Sequence, residues 1–215
     1  MAARDATIAR LCLDKALEAI LASEEELGRL DAVAGDGDHG VGMARGFRAA
    51  TNAAATAGES AGQVLIQAGA AFSDAAGGAS GALYGMWLTA IGQSLQSAKE
   101  FDATTLHRAF EAGLATLLRL GRVQPGDKTM IDTLEPFTRA FGDAAAHGTT
   151  LLEAWKEALI AAERGADSTA EMVSKKGRAS RLGERSQGFR DPGAVSMLIV
   201  LQAANEALSE EKRQS

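Results

Sequence analysis

In 215 residues the chain has one cysteine, three prolines, three histidines and one tyrosine. The lone Cys12 cannot close an internal disulfide, and its setting in an apolar helical pattern reads as a buried structural thiol. With so few cysteines and histidines, a zinc site of the usual Cys/His type cannot be assembled. No apolar run approaches the ~18 residues of a membrane-spanning helix. The N-terminus spaces acidic and basic residues regularly and carries no apolar block, so no signal peptide is expected. Basic residues are outnumbered 22 to 28, a net charge of −6, which argues against a nucleic-acid binder and against adhesion to anionic membranes. The expectation is a cytoplasmic chain with neither nucleic acid nor membrane as a partner.

The chain also has few β-branched residues and no segment that alternates cleanly with period two, which leaves helices. At 46% hydrophobic it can bury a substantial core, and residues 1–215 are expected to form a single domain. Leu13, Ala16, Leu17, Ile20 and Leu27 mark the inner face of a first helix, roughly 5–29. A second is expected over 41–57, a third from a Ser60 cap to Ala76, and a fourth over 81–97. A fifth, capped by Asp102 or Thr104, ends near Gly121. Pro125-Gly126-Asp127 opens a sixth, interrupted or ended between Pro136 and Gly142, with Asp127 read as its cap. Leu152, Trp155, Leu159 and Ala162 line the inside of a seventh. Asp191 as cap and Pro192 at the first helical position start the last helix, and the tail 209–215 is expected to fray. The class is all-α: eight helices in an antiparallel up-and-down bundle.

In such a bundle alternate connections lie at one end, and the connections after helices one, three, five and seven are the ones with unusual chemistry. The first holds Asp31, Asp36 and Asp38 in a glycine-broken loop, Gly35-Asp36-Gly37-Asp38-His39-Gly40. Asp and Gly also make ordinary turns, but three carboxylates this close repel unless a cation sits among them. Oxygen donors on a tight loop suit Mg2+, which usually also holds substrate phosphates. A calcium EF-hand started at Asp36 fails, because Val41 and Phe47 stand where a Gly and a bidentate acid are required.

Gly77-Gly78-Ala79-Ser80-Gly81 runs into a helix start, where backbone amides can approach a phosphate closely. No Lys-Ser/Thr pair follows, so it is not a Walker A loop. Thr129 and Met130 stand at a helix start, where either could touch a phosphate or base and Met is more often core. The segment 175–191 concentrates Lys175, Lys176, Arg178, Arg181, Arg185 and Arg190 in an otherwise acidic chain. Long and structureless by pattern, it suits a lid that brings Arg178, with Arg181 or Arg185 as further candidates, over phosphates.

Taken together, these motifs resemble the nucleotide-binding L subunit, or domain, of the dihydroxyacetone kinases. The matching pieces are Gly-Asp-Gly-Asp-His-Gly at 35–40, Gly-Gly-Ala-Ser-Gly at 77–81, Pro-Gly-Asp-Lys-Thr-Met at 125–130, Gly-Arg-Ala-Ser-Arg-Leu-Gly-Glu-Arg-Ser at 177–186 and Asp-Pro-Gly-Ala at 191–194. The resemblance implies an eight-helix barrel with ADP or ATP at one end and two Mg2+ ions held by Asp31, Asp36 and Asp38. It implies phosphate and nucleotide contacts at His39, Gly40, Val41, Gly42, Ala79 and Ser80. Gly121, Thr129 and Met130 would line the nucleotide pocket, and Arg178, Asp191, Pro192 and Gly193 would close around it, with Arg178 as the catalytic cation. It further implies a kinase subunit of glycerol metabolism that works only with a K subunit holding dihydroxyacetone or a related ketose. The nucleotide is either an exchanging ATP donor or a resident ADP recharged by a phosphohistidine protein of the sugar phosphotransferase system, and a free-standing chain leans toward the second. The competing readings are a regulatory nucleotide-binding module and a fatty-acid-kinase-like nucleotide domain, which shares an acidic loop.

Overall fold

The computed structural model describes residues 2–96, 98 and 100–214. Among them there are nine α-helices and no strand: α1 (Ala2–Ala22), α2 (Glu24–Ala32), α3 (His39–Thr56), α4 (Ala61–Ala76), α5 (Gly78–Leu95), α6 (Ala103–Leu120), α7 (Ile131–Ala146), α8 (Leu151–Ser168) and α9 (Pro192–Gln214). Each long helix packs on its neighbour in sequence, and α1 packs on both α3 and α9, so α1 and α3–α9 close into an eight-membered antiparallel barrel. The ninth helix arises because the expected first helix breaks at Ser23 (φ −106°, ψ 5°). The hydrogen-bond path persists through the break, Ser23 N donating to Ala19 O and Leu27 N to Ser23 O. The α2 segment packs against α3 and α9 and carries Asp31 to the barrel rim.

Local chemistry sets most helix starts. Ser60 accepts from Gln63 N and Asp102 from Thr105 N, both as expected, and Thr150 with Glu153 forms a capping box. Two expectations are corrected. Pro136 does not end α7, which runs on to Ala146. The Asp132 carbonyl that loses its helical donor to Pro136 is approached by Gly165 of α8, where a Cβ would stand 2.1 Å from it. Asp127 does not cap α7; it is buried and accepts from Gln124 N at 3.0 Å. The C-terminal tail is helical through Gln214, and Ser209 to Glu211 are half-buried. Ser215 lies outside the described residues, as does Ser97, the expected end of the fourth helix, which stops at Leu95. No helix among the described residues is long and apolar enough to cross a membrane.

Phe47, Phe72, Tyr84, Trp87, Phe110, Phe137, Phe141 and Trp155 form a chain of ring contacts across the barrel interior, with successive centroids 5.1–6.2 Å apart. Trp87 and Trp155 are therefore core, as their helical stripes predict. The α4–α5 contact depends on missing side chains. A Cβ on Gly62 would lie 2.7 Å from Gly92 O and one on Gly69 2.8 Å from Gly85 O, with the converse approaches 2.7 and 2.9 Å. Both pairs meet backbone, which cannot rotate away as a side chain could. Gly69→Ala should therefore lower stability by about 1–3 kcal/mol through overpacking, read as a lower urea midpoint at unchanged slope. An unchanged midpoint would mean that the helices separate at no cost.

Candidate functional site

The barrel's antiparallel order places the N-termini of α3, α5, α7 and α9 at one end, where the connections 33–38, Gly77, 121–130 and 169–191 form a rim. Asp31 sits in the last turn of α2, and Asp36 and Asp38 lie on the loop that Gly37 (φ +78°) turns. A Cβ on Gly35 would stand 2.3 Å from Asp31 Oδ1, so a side chain there would push the Asp31 carboxylate aside. One carboxylate oxygen from each of Asp31, Asp36 and Asp38 lies within 4.8 Å of the others. Oxygens bound to one octahedral Mg2+ sit about 3–4 Å apart, given bonds of about 2.0–2.1 Å. The hard donor set and its spacing fit a divalent cation with small side-chain adjustment. Arg178 already brings a positive charge to the loop, its guanidinium pairing with Asp36.

Beside the carboxylates, three helix starts are tied together through His39, the first residue of α3. Its Nδ1 lies 3.1 Å from Ser80 Oγ on α5 and its Nε2 2.9 Å from Ser196 Oγ on α9. Ser196 Oγ is also 2.9 Å from the Tyr84 hydroxyl. Burial lowers the imidazole pKa against the pull of Asp31, which favours the neutral ring. The α5 start is open: Gly77 (φ +70°) and Gly78 (φ +60°) turn the chain, no side chain caps it, and Gly78 and Ala79 are exposed. Unpaired amides at such a start attract anions. Arg45 satisfies the preceding helix end, donating to Ala75 O at 2.6 Å and Ala76 O at 2.7 Å.

The third and fourth connections are fastened together by Lys128, a residue the sequence reading passed over. It adopts φ +62°, is 2% exposed, and donates from Nζ to the carbonyls of Thr169, Ser186 and Phe189, each at 2.7 Å. Its three N–H groups thereby fix both ends of the connection 169–191. Asp132 organises the turn before α7, accepting from Gly126 N at 2.6 Å and Thr129 N at 2.8 Å. The basic segment is not structureless: Arg178–Ser186 winds as a 3-10 helix broken at Gly183 (φ +56°). Arg178, Arg181 and Arg185 are exposed on it. Asp191 caps α9 by accepting from Ala194 N at 2.8 Å, with Pro192 following as the first helical residue.

Most expected site residues therefore reach this rim. Asp31, Asp36, Asp38, His39 and Ser80 meet as described, Val41 is exposed, and Gly42 faces the C-terminal end of α4. Gly121 ends α6 beside an open groove of about 540 Å³ lined by Leu118, Arg122, Val123, Gln124, Pro125 and Lys176. Thr129 is half-buried, and Gly193 packs beside the Met130 backbone. Two residues lie beneath the surface. Met130 is 2% exposed with its side chain in the core, and Gly40 is buried where a Cβ would stand 2.1 Å from Glu24 O. Sequence reasoning missed Lys128, Asp132, Ser196 and Tyr84. Only Ser196 left a trace, as a hydroxyl within the apolar stripe of the last helix.

The chain matches the DAK2 domain over residues 33–206. It is 40% identical over 200 residues to the L-erythrulose kinase of Pectobacterium atrosepticum and 44% identical over 189 residues to the D-erythrulose kinase of Mycolicibacterium smegmatis. These alignments cover 92% and 86% of this chain but 34% and 33% of those proteins, so the chain spans about a third of their length. Against the PEP-dependent dihydroxyacetone kinase ADP-binding subunit DhaL of Escherichia coli it is 36% identical, covering 85% of this chain and 88% of that subunit. The fold matches the dihydroxyacetone kinase of C. freundii in complex with AMP-PNP and Mg2+, with a TM-score of 0.68 and 28% identity over 94% of this chain and 33% of that one.

Burial pushes the Asp191 carboxyl up to about 7, against the pull of the Ala194 amide and the Lys128 ammonium. An unfolded aspartate titrates near ~3.9, so between about pH 4 and pH 7 the folded chain holds the extra proton. Stability should fall as pH rises through that window and level off above it. Asp191→Asn keeps a cap and removes the titration. Its unfolding free energy should therefore be flatter than the parent's from pH 4 to 7; parallel profiles would refute the assignment.

Proposed function

The chain belongs to the DAK2 domain family, and on that premise we propose that it is the nucleotide-binding part of a kinase for dihydroxyacetone or a related ketose. The observation that carries this reading is the convergence of Asp31, Asp36 and Asp38 on the rim beside the open start of α5. In the proposal these carboxylates hold Mg2+, two ions in the fullest form, and a bound Mg2+ would neutralise phosphate charge and polarise the transferred phosphoryl group. The amides at Ala79 and Ser80 and the start of α3 at His39 receive the phosphate oxygens. Gly121 and Thr129 stand beside the nucleoside, with Met130 packed beneath them in the core and the groove along Val123 and Pro125 next to them. Arg178, on the anchored 3-10 segment, swings from Asp36 toward the phosphates and stabilises the charge that develops in transfer. Asp191, Pro192 and Gly193 close the remaining side.

Positioning and charge neutralisation are most of what phosphoryl transfer requires of a protein. The ketose is held elsewhere, on a K subunit or domain. The support is that the E. coli relative is an ADP-binding subunit matched nearly end to end, while the erythrulose kinases extend well beyond the matched third. The proposed setting is the cytoplasm, with recharging of bound ADP by a phosphohistidine protein as one route to the phosphoryl group.

Equilibrium binding of ADP with and without Mg2+ tests the reading. The parent should bind ADP in Mg2+, and Asp38→Ala should weaken that binding at least tenfold while unfolding at the parent's urea midpoint or above, since one like charge is gone. Phosphorylation of dihydroxyacetone should appear only when a K subunit is added. A parent that binds no ADP, or an Asp38→Ala variant that binds as well, would overturn it.

A further inference from the structure

The Tyr84 hydroxyl, Ser196, His39 and Ser80 form one hydrogen-bonded row from the barrel interior to the open start of α5, with contacts of 2.9, 2.9 and 3.1 Å. Tyr84, Ser196 and His39 are 1%, 0% and 8% exposed, so water does not supply alternatives. The protons along the row can be counted. A buried phenol that fails to donate loses a hydrogen bond, so Tyr84 donates to Ser196 Oγ. Ser196 has one proton and two acceptors in reach, His39 Nε2 at 2.9 Å and Gly193 O at 3.1 Å.

Two arrangements pair the groups of the row, and the Pro192 carbonyl is a further acceptor for a ring N–H. If Ser196 donates to Gly193 O, His39 carries its proton on Nε2 and gives it to Ser196. Nδ1 is then bare and takes the Ser80 proton, which points away from the rim. If Ser196 instead donates to His39 Nε2, the imidazole carries its proton on Nδ1 and donates to Ser80 Oγ. The Ser80 hydroxyl proton is then free to point outward to whatever lies at the α5 start. The ring stays neutral in both, and only the tautomer differs.

We propose that Ser196, with Tyr84 behind it, is a positioning residue that sets the His39 tautomer, and that an anionic phosphate at the α5 start selects the form in which Ser80 donates outward. This rests on the nucleotide reading above. It adds a role for two buried residues, on α5 and α9, that reach the ligand only through His39. It also gives α9 a reason to carry a hydroxyl within an apolar stripe.

Ring-15N-histidine NMR tests it on the full chain, titrated with Mg-ADP, using His107→Gln and His147→Gln to assign the other two imidazoles. On adding Mg-ADP, Nδ1 of His39 should move to the protonated shift range and Nε2 to the bare range. Ser196→Ala should abolish that exchange of shifts and release ADP roughly tenfold faster, the effect of one hydrogen bond to a charged group. Tyr84→Phe should change both in the same direction by less. A merely structural role would lower the urea midpoint of Ser196→Ala without moving the imidazole shifts. An imidazole pattern that Mg-ADP leaves unmoved, or a Ser196→Ala variant releasing ADP at the parent's rate, overturns the proposal while binding itself stands. No uptake of Mg-ADP by the parent overturns the site reading first.

Discussion

Charge balance at one rim of the barrel is the constraint to which the rest of the structure answers. Three carboxylates with oxygens within 4.8 Å of one another repel, and Asp36 and Asp38 are exposed while Asp31 is half-buried against the start of α3. The fold surrounds them with positive character of several kinds. Helix N-termini contribute partial charge, Arg178 contributes a full one against Asp36, and the oxygen donors are of the kind a divalent ion takes. A barrel of alternating helices brings four N-termini to one end, and α2 sets Asp31 beside them. The architecture is in this sense the means by which acidic groups and anion-seeking amides come to share a place.

That arrangement needs a rigid rim, and most of the rigidity comes from backbone groups held by buried polar side chains. Lys128 satisfies three carbonyls with one ammonium, Asp132 gathers the turn before α7, and His39 ties three helix starts. The cost of burying such groups is offset only when every donor and acceptor is paired, as at Lys128. The pairing leaves Arg178 exposed on a segment whose ends are fixed, so a side chain can move while its base does not.

How much of this the sequence disclosed follows from which interactions are local. Ser60, Asp102 and Asp191 cap helices within three residues of themselves, and their helices start where the sequence says. The acidic loop was legible for the same reason, because its three ligand candidates lie within eight positions of one another. α7 runs on through Pro136 where Gly165 of α8 comes close to the Asp132 carbonyl, a contact that no window of sequence contains. Lys128 is the clearest case. A lysine after Pro-Gly-Asp reads as a surface residue, and its burial is set by carbonyls 41, 58 and 61 positions away. Ser196 finds His39 157 positions back, a separation that no spacing rule bridges.

The most direct test of the central claim is linkage between the cation and the nucleotide. If the three carboxylates hold Mg2+ at the phosphate site, calorimetric titration should find ADP binding much tighter in Mg2+ than in EDTA. Mg2+ should in turn bind tighter in the presence of ADP by the same factor, since coupling between two sites is reciprocal. Equal ADP affinity with and without Mg2+ would mean that the acidic loop and the anion-binding helix starts do not form one site.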